Sequence, residues 1–208
     1  MDRIIEPTGE ELEIGRILPS VVLASSSPNR KKLLEECGIT VTTFTPDADE
    51  STEGLEIDEA IKKNARVKME AYLASPAFIS DIPAISADTL VKIDGALLGK
   101  PKDRKEAKAM LMRLSGRVQT VYTGCSLYIP GRENIITFSD TAGVLFHTLS
   151  SGDIEDYLDT DEWKGAAGAY RLQKTGYRLV EKIDGDWATV VGLPLMRILS
   201  LLQPRSSS

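Results

Sequence analysis

The sequence predicts an α/β fold built on long mixed strands. Three observations carry this prediction. The short apolar run Val21–Ala24 passes through a serine-rich turn into a helical stretch. Helical periodicity returns between strand candidates, at residues 58–74 and again from Arg104 to Leu114. Two long runs, Val118–Ile129 and Ile135–Thr148, read as strands joined at Pro130-Gly131. No internal repeat interrupts this order.

The elements follow in sequence. Residues 1–20 read as a weakly structured N-terminal extension. Val21–Ala24 is short and wholly apolar, as a buried strand requires. A helix is expected from Lys31 to Cys37, with Leu33 and Leu34 on its apolar face and Gly38 as its stop. Ile39–Phe44 alternates with threonines and reads as a strand. Asp47–Glu56 is acidic and loop-like. In 58–74, Ala60, Ile61, Ala65, Val67, Ala71 and Tyr72 mark a helix. Ile82–Leu90 is a strand candidate, and Asp94-Gly95 is a two-residue hairpin turn leading to Ala96–Leu98. The helix from Arg104 stops at Ser115-Gly116. After the two long strands, a short helix is expected near Asp153–Leu158. Residues 165–175 are rich in small side chains and read as a functional loop. Leu179–Ile183 and Trp187–Val191 are expected to form a hairpin about Asp184-Gly185-Asp186. A C-terminal helix ends near Leu202, and Pro204 to Ser208 is expected to fray.

Composition narrows the function classes. The chain has 208 residues and a net charge of −6. That length fits one domain, 21–203, or two small lobes within it. The acidic balance argues against a nucleic-acid polymer as partner, which needs a basic stripe. It leaves open an anionic small molecule, because a local cluster of cations outweighs the net sign. The two cysteines, Cys37 and Cys125, lack zinc-ligand spacing and read as reduced thiols. The single histidine, His147, cannot supply a usual zinc ligand set, and its alternating surroundings favour a strand position over a catalytic triad. No apolar run of about 18 residues is present to span a membrane. Residues 1–20 are acidic and lack the features of a signal peptide. The expected location is cytoplasmic.

Four segments could carry chemistry. Ser25-Ser26-Ser27-Pro28-Asn29-Arg30 lies between a strand and a helix, where backbone N–H groups, hydroxyls and an Arg fork suit phosphate. The same residues also read as Ser27 capping the helix with Pro28 in its first turn. Asp88, in Ser86-Ala87-Asp88-Thr89, lies at a strand end, where α/β proteins bind ligands; it also reads as a turn-starting Asp. Asp47-Ala48-Asp49-Glu50 offers oxygens suited to Mg²⁺ or Mn²⁺, or is a solvated loop. Lys68 and Lys100 are cations on a helix and after the hairpin, each unremarkable alone. Together these groups match the needs of phosphoanhydride cleavage: charge neutralisation and a carboxylate to activate water.

The ordered set LASSSPNRKKLLEECGI (23–39), DADE (47–50), ARVKMEA (65–71), ISADTLVKIDGALLGKP (85–101), AKAMLMRLSG (107–116) and AGAYRLQ through VVGLPL (167–195) resembles the Maf family of nucleotide pyrophosphatases, also called septum formation proteins. The resemblance implies a fold like that of the inosine-triphosphate pyrophosphatases, with two lobes around a long mixed sheet and a central cleft. It implies hydrolysis of nucleoside triphosphates to the monophosphate and pyrophosphate, a divalent cation (Mg, Mn or Co) and a homodimer. By position it makes Asp88 the general base and Glu50, with Asp88, the metal ligands. Ser27, Arg30, Lys68 and Lys100 become phosphate contacts, and Asn29, Thr89 and Gln173 the specificity positions. Gln173 points to the dTTP/UTP branch, or to modified pyrimidine nucleotides.

Three positions depart from the family pattern. Asn29 stands where Arg is usual, Ala166 where Lys is usual, and the usual His is replaced within Arg117-Val118-Gln119. These departures bear on substrate choice and leave Asp88 and Glu50 in place. The competing reading is a non-catalytic nucleotide-binding regulator of septum formation and cell division. A nucleotidyltransferase finds no acceptor-binding motif.

Overall fold

The computed structural model describes residue 7, residues 9–51 and residues 53–203. The expected frayed tail lies outside the described residues. The fold is α/β on a seven-stranded open mixed sheet. The strands are β1 (Ser20–Ala24), β2 (Thr40–Phe44), β3 (Ala84–Ile93), β4 (Ala96–Leu98), β5 (Val118–Tyr128), β6 (Ile136–Phe146) and β7 (Val180–Asp184). Their order is β2-β1-β3-β5-β6-β7, with β4 paired to β3.

Parallel pairing of β1 with β2 needs a crossover, which α2 (Pro28–Glu36) supplies. Parallel pairing of β1 with β3 sets Ala24 opposite Ser86. Ser25 and Asp88 thus follow closely on paired positions of neighbouring parallel strands. The β3–β4 hairpin turns at Asp94 and Gly95, with φ of 48° and 79°, as the Asp-Gly pair predicts.

The chain divides into two compact units. One comprises Pro7–Thr89, Thr123–Asp140 and the segment from Gly192; the other comprises Leu90–Tyr122 and Thr141–Val191. The first unit contains α3 (Ile57–Leu73), whose buried stripe is Ala60, Ile61, Asn64, Ala65, Lys68, Met69 and Tyr72. Gly124 of β5 allows α3 to approach closely: a Cβ there would lie 2.2 Å from the Ile61 carbonyl oxygen. Ser86 Oγ ties β3 to the same helix by donating to the Ala65 carbonyl at 2.6 Å. Phe44, Tyr72, Phe78 and Tyr128 form a chain of ring contacts with centroids 5.2, 5.6 and 5.3 Å apart.

The second unit has its own core, in which Leu111, Leu114, Val144, Phe146, Leu158 and Leu172 are buried. It includes α4 (Arg104–Leu114), α5 (Ser151–Asp159) and β7, which pairs antiparallel with β6. Ser150 and Asp153 close a capping box at the start of α5.

Two expected elements differ. Residues Gly9–Ile17 form α1 rather than a weakly structured stretch, because Ile14 and Leu18 recur one turn apart and are both buried. In the first unit, α1 packs against α7 (Leu195–Leu202). Trp187–Val191 is a short helix, α6, and not a hairpin arm. Asp186 accepts from the Ala188 amide at 2.8 Å and its carbonyl from the Thr189 amide at 3.1 Å, so the chain turns helical where a strand was expected. β7 pairs with β6 instead.

Candidate active site

The loop between β1 and α2 is organised by its own side chains. Ser27 is extended at the N-cap of α2, and its hydroxyl accepts from the Arg30 amide at 3.5 Å. Ser25 Oγ accepts from the Ser27 amide at 3.2 Å. Capping and ligand binding are compatible here, because capping occupies only part of the donor supply of the first helical turn. Asn29 sits half-buried in that turn.

Arg30 is buried and extensively held. Its Nε donates to the Gly192 carbonyl, Nη1 to Ser25 Oγ and Nη2 to Thr89 Oγ1, each at 2.9 Å. A guanidinium has five N–H groups, so some donor capacity remains for a ligand. Burial lowers the Arg30 pKa, opposed by the nearby Asp88 carboxylate. Gly192 is shaped for this contact. Its φ is +108°, and a Cβ there would lie 3.0 Å from both Arg30 Nε and Thr89 Oγ1. Thr89 Oγ1 also bonds Thr123 Oγ1 at 3.0 Å.

Asp88 is gripped from α3. Lys68 Nζ donates to its Oδ1 at 2.8 Å and Asn64 Nδ2 to its Oδ2 at 2.9 Å. Burial raises the Asp88 pKa, but the Lys68 charge, its hydrogen bond, the Asn64 bond and Arg30 prevail and hold the carboxyl below its usual range. Lys68 Nζ also lies 2.8 Å from Glu50 Oε2. One ammonium therefore joins Glu50 and Asp88. The remaining acidic loop residues are exposed at Asp47 and Asp49, and Asp49 accepts from the Ser51 amide at 2.9 Å.

The first unit thus brings together Ser27, Arg30, Glu50, Lys68, Asp88 and Thr89. Lys100 and Gln173 belong to the second unit. Lys100 is exposed in the loop after β4. The preceding Gly99 carbonyl accepts from the Gly168 amide at 3.1 Å, which joins that loop to the 165–175 segment carrying Gln173. Gln173 Nε2 is buried and has no hydrogen-bond partner among the described residues.

Two of the three departures from the family pattern, Ala166 and the segment with Gln119, lie in the second unit. Gln119 is fully buried, donates from Nε2 to Tyr170 Oη at 2.6 Å, and leaves Oε1 without a partner among the described residues. Ala166 is buried. His147 follows β6, half-exposed, with Glu181 3.8 Å from Nδ1. Cys37 and Cys125 are buried free thiols, each pushed up to about 12 chiefly by burial.

The donor set suits a hard divalent cation. Glu50 and Asp88 supply carboxylate oxygens, and the neighbouring buried Asn64 Oδ1 lacks a partner among the described residues. Among the described residues no group of three or more His, Cys, Asp or Glu gathers as a complete cage. Mg²⁺ commonly uses one or two carboxylates plus substrate phosphates, so the two carboxylates match that mode.

The family described as Maf-like protein matches residues 20–205. The chain belongs to the Maf-like protein family. The Maf-like chain is 42 % identical over 184 residues to a dTTP/UTP pyrophosphatase of Bacillus velezensis, covering 88 % of this chain and 95 % of that relative. It is 40 % identical over 184 residues to a dTTP/UTP pyrophosphatase of Clostridioides difficile, covering 88 % and 94 %. A dTTP/UTP pyrophosphatase of Thermus thermophilus is 37 % identical over 187 residues, covering 90 % and 95 %. Helix α1 precedes the matched residues. No helix among the described residues is long and apolar enough to cross a membrane.

Proposed function

We propose that this Maf-like protein is a nucleoside triphosphate pyrophosphatase that hydrolyses dTTP and UTP, or modified pyrimidine nucleotides, to the monophosphate and pyrophosphate. The observation that carries the mechanism is Asp88, ionised and held from two sides beside the Arg30 cluster. Asp88 accepts a hydrogen bond from the attacking water and orients it toward the α-phosphorus. As the bond to the pyrophosphate leaving group breaks, the water's proton passes to Asp88, which then releases it to solvent. Ser27 and the first turn of α2 bind phosphate oxygens, and the remaining Arg30 donors add positive charge. Lys68 exchanges a carboxylate partner for a phosphate oxygen when substrate arrives.

Glu50 and Asp88 would hold a divalent cation, with Mg²⁺, Mn²⁺ and Co²⁺ as the candidates. When bound, it supplies charge neutralisation for the triphosphate. Gln173 Nε2, a buried donor without a partner among the described residues, offers what a pyrimidine carbonyl accepts. The roles of Lys100, Asn29 and Thr89 toward substrate rest on the resemblance. So do residues 21–203 as the catalytic domain and a homodimer; a cytoplasmic location is the reading of the chain's composition.

A panel of normal and modified nucleoside triphosphates, assayed for pyrophosphate with each cation, tests the reading. Release from dTTP and UTP that Asp88→Asn abolishes is the expected result. Equal rates on purines and pyrimidines would defeat the specificity, and nucleotide binding without turnover would favour the regulator.

A further inference from the structure

Asn64 occupies a place that packing alone does not explain. It lies in the buried stripe of α3, between apolar Ala60, Ile61, Ala65 and Met69, and is only 5 % exposed. Its Nδ2 donates to Asp88 Oδ2 at 2.9 Å. An ionised carboxylate only accepts, so the NH₂ side must face Asp88 and the amide cannot be turned over. That orientation leaves Asn64 Oδ1 buried, with no partner among the described residues. An unpaired buried acceptor destabilises a fold. A leucine of nearly the same shape would fill the stripe without it.

We propose that Asn64 is a positioning residue for Asp88. This inference rests on the reading of Asp88 given above. Asn64 and Lys68 stand one helical turn apart and hold one carboxylate oxygen each. Lys68 is shared with Glu50 and is drawn toward incoming phosphate, so its grip on Asp88 changes during turnover. Asn64 is neutral, and among the described residues its side chain hydrogen-bonds to Asp88 alone. It keeps Oδ2 committed and the carboxylate in one orientation, which leaves Oδ1 to direct water. Its role is in turnover and not in nucleotide affinity.

The test compares Asn64→Leu, Asp88→Asn and the double variant on dTTP, with melting temperatures. Asn64→Leu is expected to lower kcat about 10- to 100-fold, with KM within about twofold. Its Tm should fall by no more than a few degrees, because removing the orphaned Oδ1 offsets the hydrogen bond lost to Asp88 Oδ2. In the double variant the second change should add no further loss to the residual rate of Asp88→Asn, since Asn64 acts through Asp88. Should Asn64→Leu not fold, Asn64→Ala takes its place in the cycle. An unchanged kcat, a loss shared by kcat, KM and Tm, or additive losses would overturn the inference. Inactive Asp88→Asn beside fully active Asn64→Leu refutes the role of Asn64 alone. Fully active Asp88→Asn refutes the reading beneath it and this inference with it.

Discussion

Lys68 Nζ sits 2.8 Å from Asp88 Oδ1 and is only 10 % exposed, a buried charge on the core-facing stripe of α3. A charge so placed is tolerated because it is paired, and Glu50 completes the pairing from the loop. The arrangement keeps two carboxylates close together while neutralising their repulsion. It also stores a cation beside the proposed phosphate contacts.

Replacing Lys68 by Met leaves Asp88 without its main counter-charge. Breaking a buried ion pair costs about 3–5 kcal/mol, and Glu50, half-exposed, keeps the loss near the lower figure. Urea unfolding should show a loss of about 3 kcal/mol. Pyrophosphate release should fall at least about 100-fold. A variant as stable and as active as the parent would contradict the pairing.

The pH dependence follows from Asp88. Its folded pKa lies below the ordinary value, so its contribution to stability is full above the unfolded pKa of about 3.9. That contribution is lost as pH falls through the lower folded value. The acid limb of kcat/KM due to Asp88 should therefore lie below about pH 4. Where the protein unfolds first, urea midpoints between about pH 3 and 7 show the same group. An Asp88 limb near pH 6 would mean that burial prevails over Lys68 and Asn64.

Gly192→Ala should disturb the Arg30 cluster. The added carbon meets Arg30 Nε and Thr89 Oγ1 at 3.0 Å, in a backbone conformation of φ +108°. A destabilisation of about 1–3 kcal/mol is expected, with reduced kcat/KM for dTTP. Denaturation and steady-state kinetics measure both; tolerance of alanine would show that the Gly192 carbonyl does not position Arg30.

Ile14→Ala tests helix α1, which precedes the family's matched residues. Ile14 is fully buried, and α1 packs on α7, the helix that follows Gly192-Leu193-Pro194. The expected loss is about 2–5 kcal/mol by chemical denaturation. A loss under about 0.5 kcal/mol, the range of surface substitutions, would mean that α1 does not hold α7.

Several elements were legible because periodicity and turn chemistry are local. The Asp94-Gly95 hairpin, the helix from Arg104 to Leu114, and β1 followed by a Ser27-capped helix all agree with their side-chain patterns. Residues 9–17 were misread because Glu10, Glu11 and Glu13 break up the apolar pattern around Ile14, and the burial of Ile14 and Leu18 arises only in the packed fold. Trp187–Val191 was misread because β-branched composition favours a strand, whereas Asp186 caps a helix there.

The site divides along the same line. Asp88, Glu50, Lys68 and Arg30 stand out from residue type and the ordered motifs, and those alone placed the chain among the Maf-like proteins. Asn64 does not, although a polar residue in the 60-61-64-65-68-69 stripe was its one available signal. Its partner is 24 residues away on another element, and Arg30 reaches Gly192 across 162 residues. Sequence by itself determined the chemical groups and the family, because those are written in residue identity and local spacing. Tertiary structure decided which oxygen each donor holds, that one ammonium serves two carboxylates, and that Gly192 must lack a side chain. Those depend on contacts between distant segments, which the chain makes only once its helices and strands have packed.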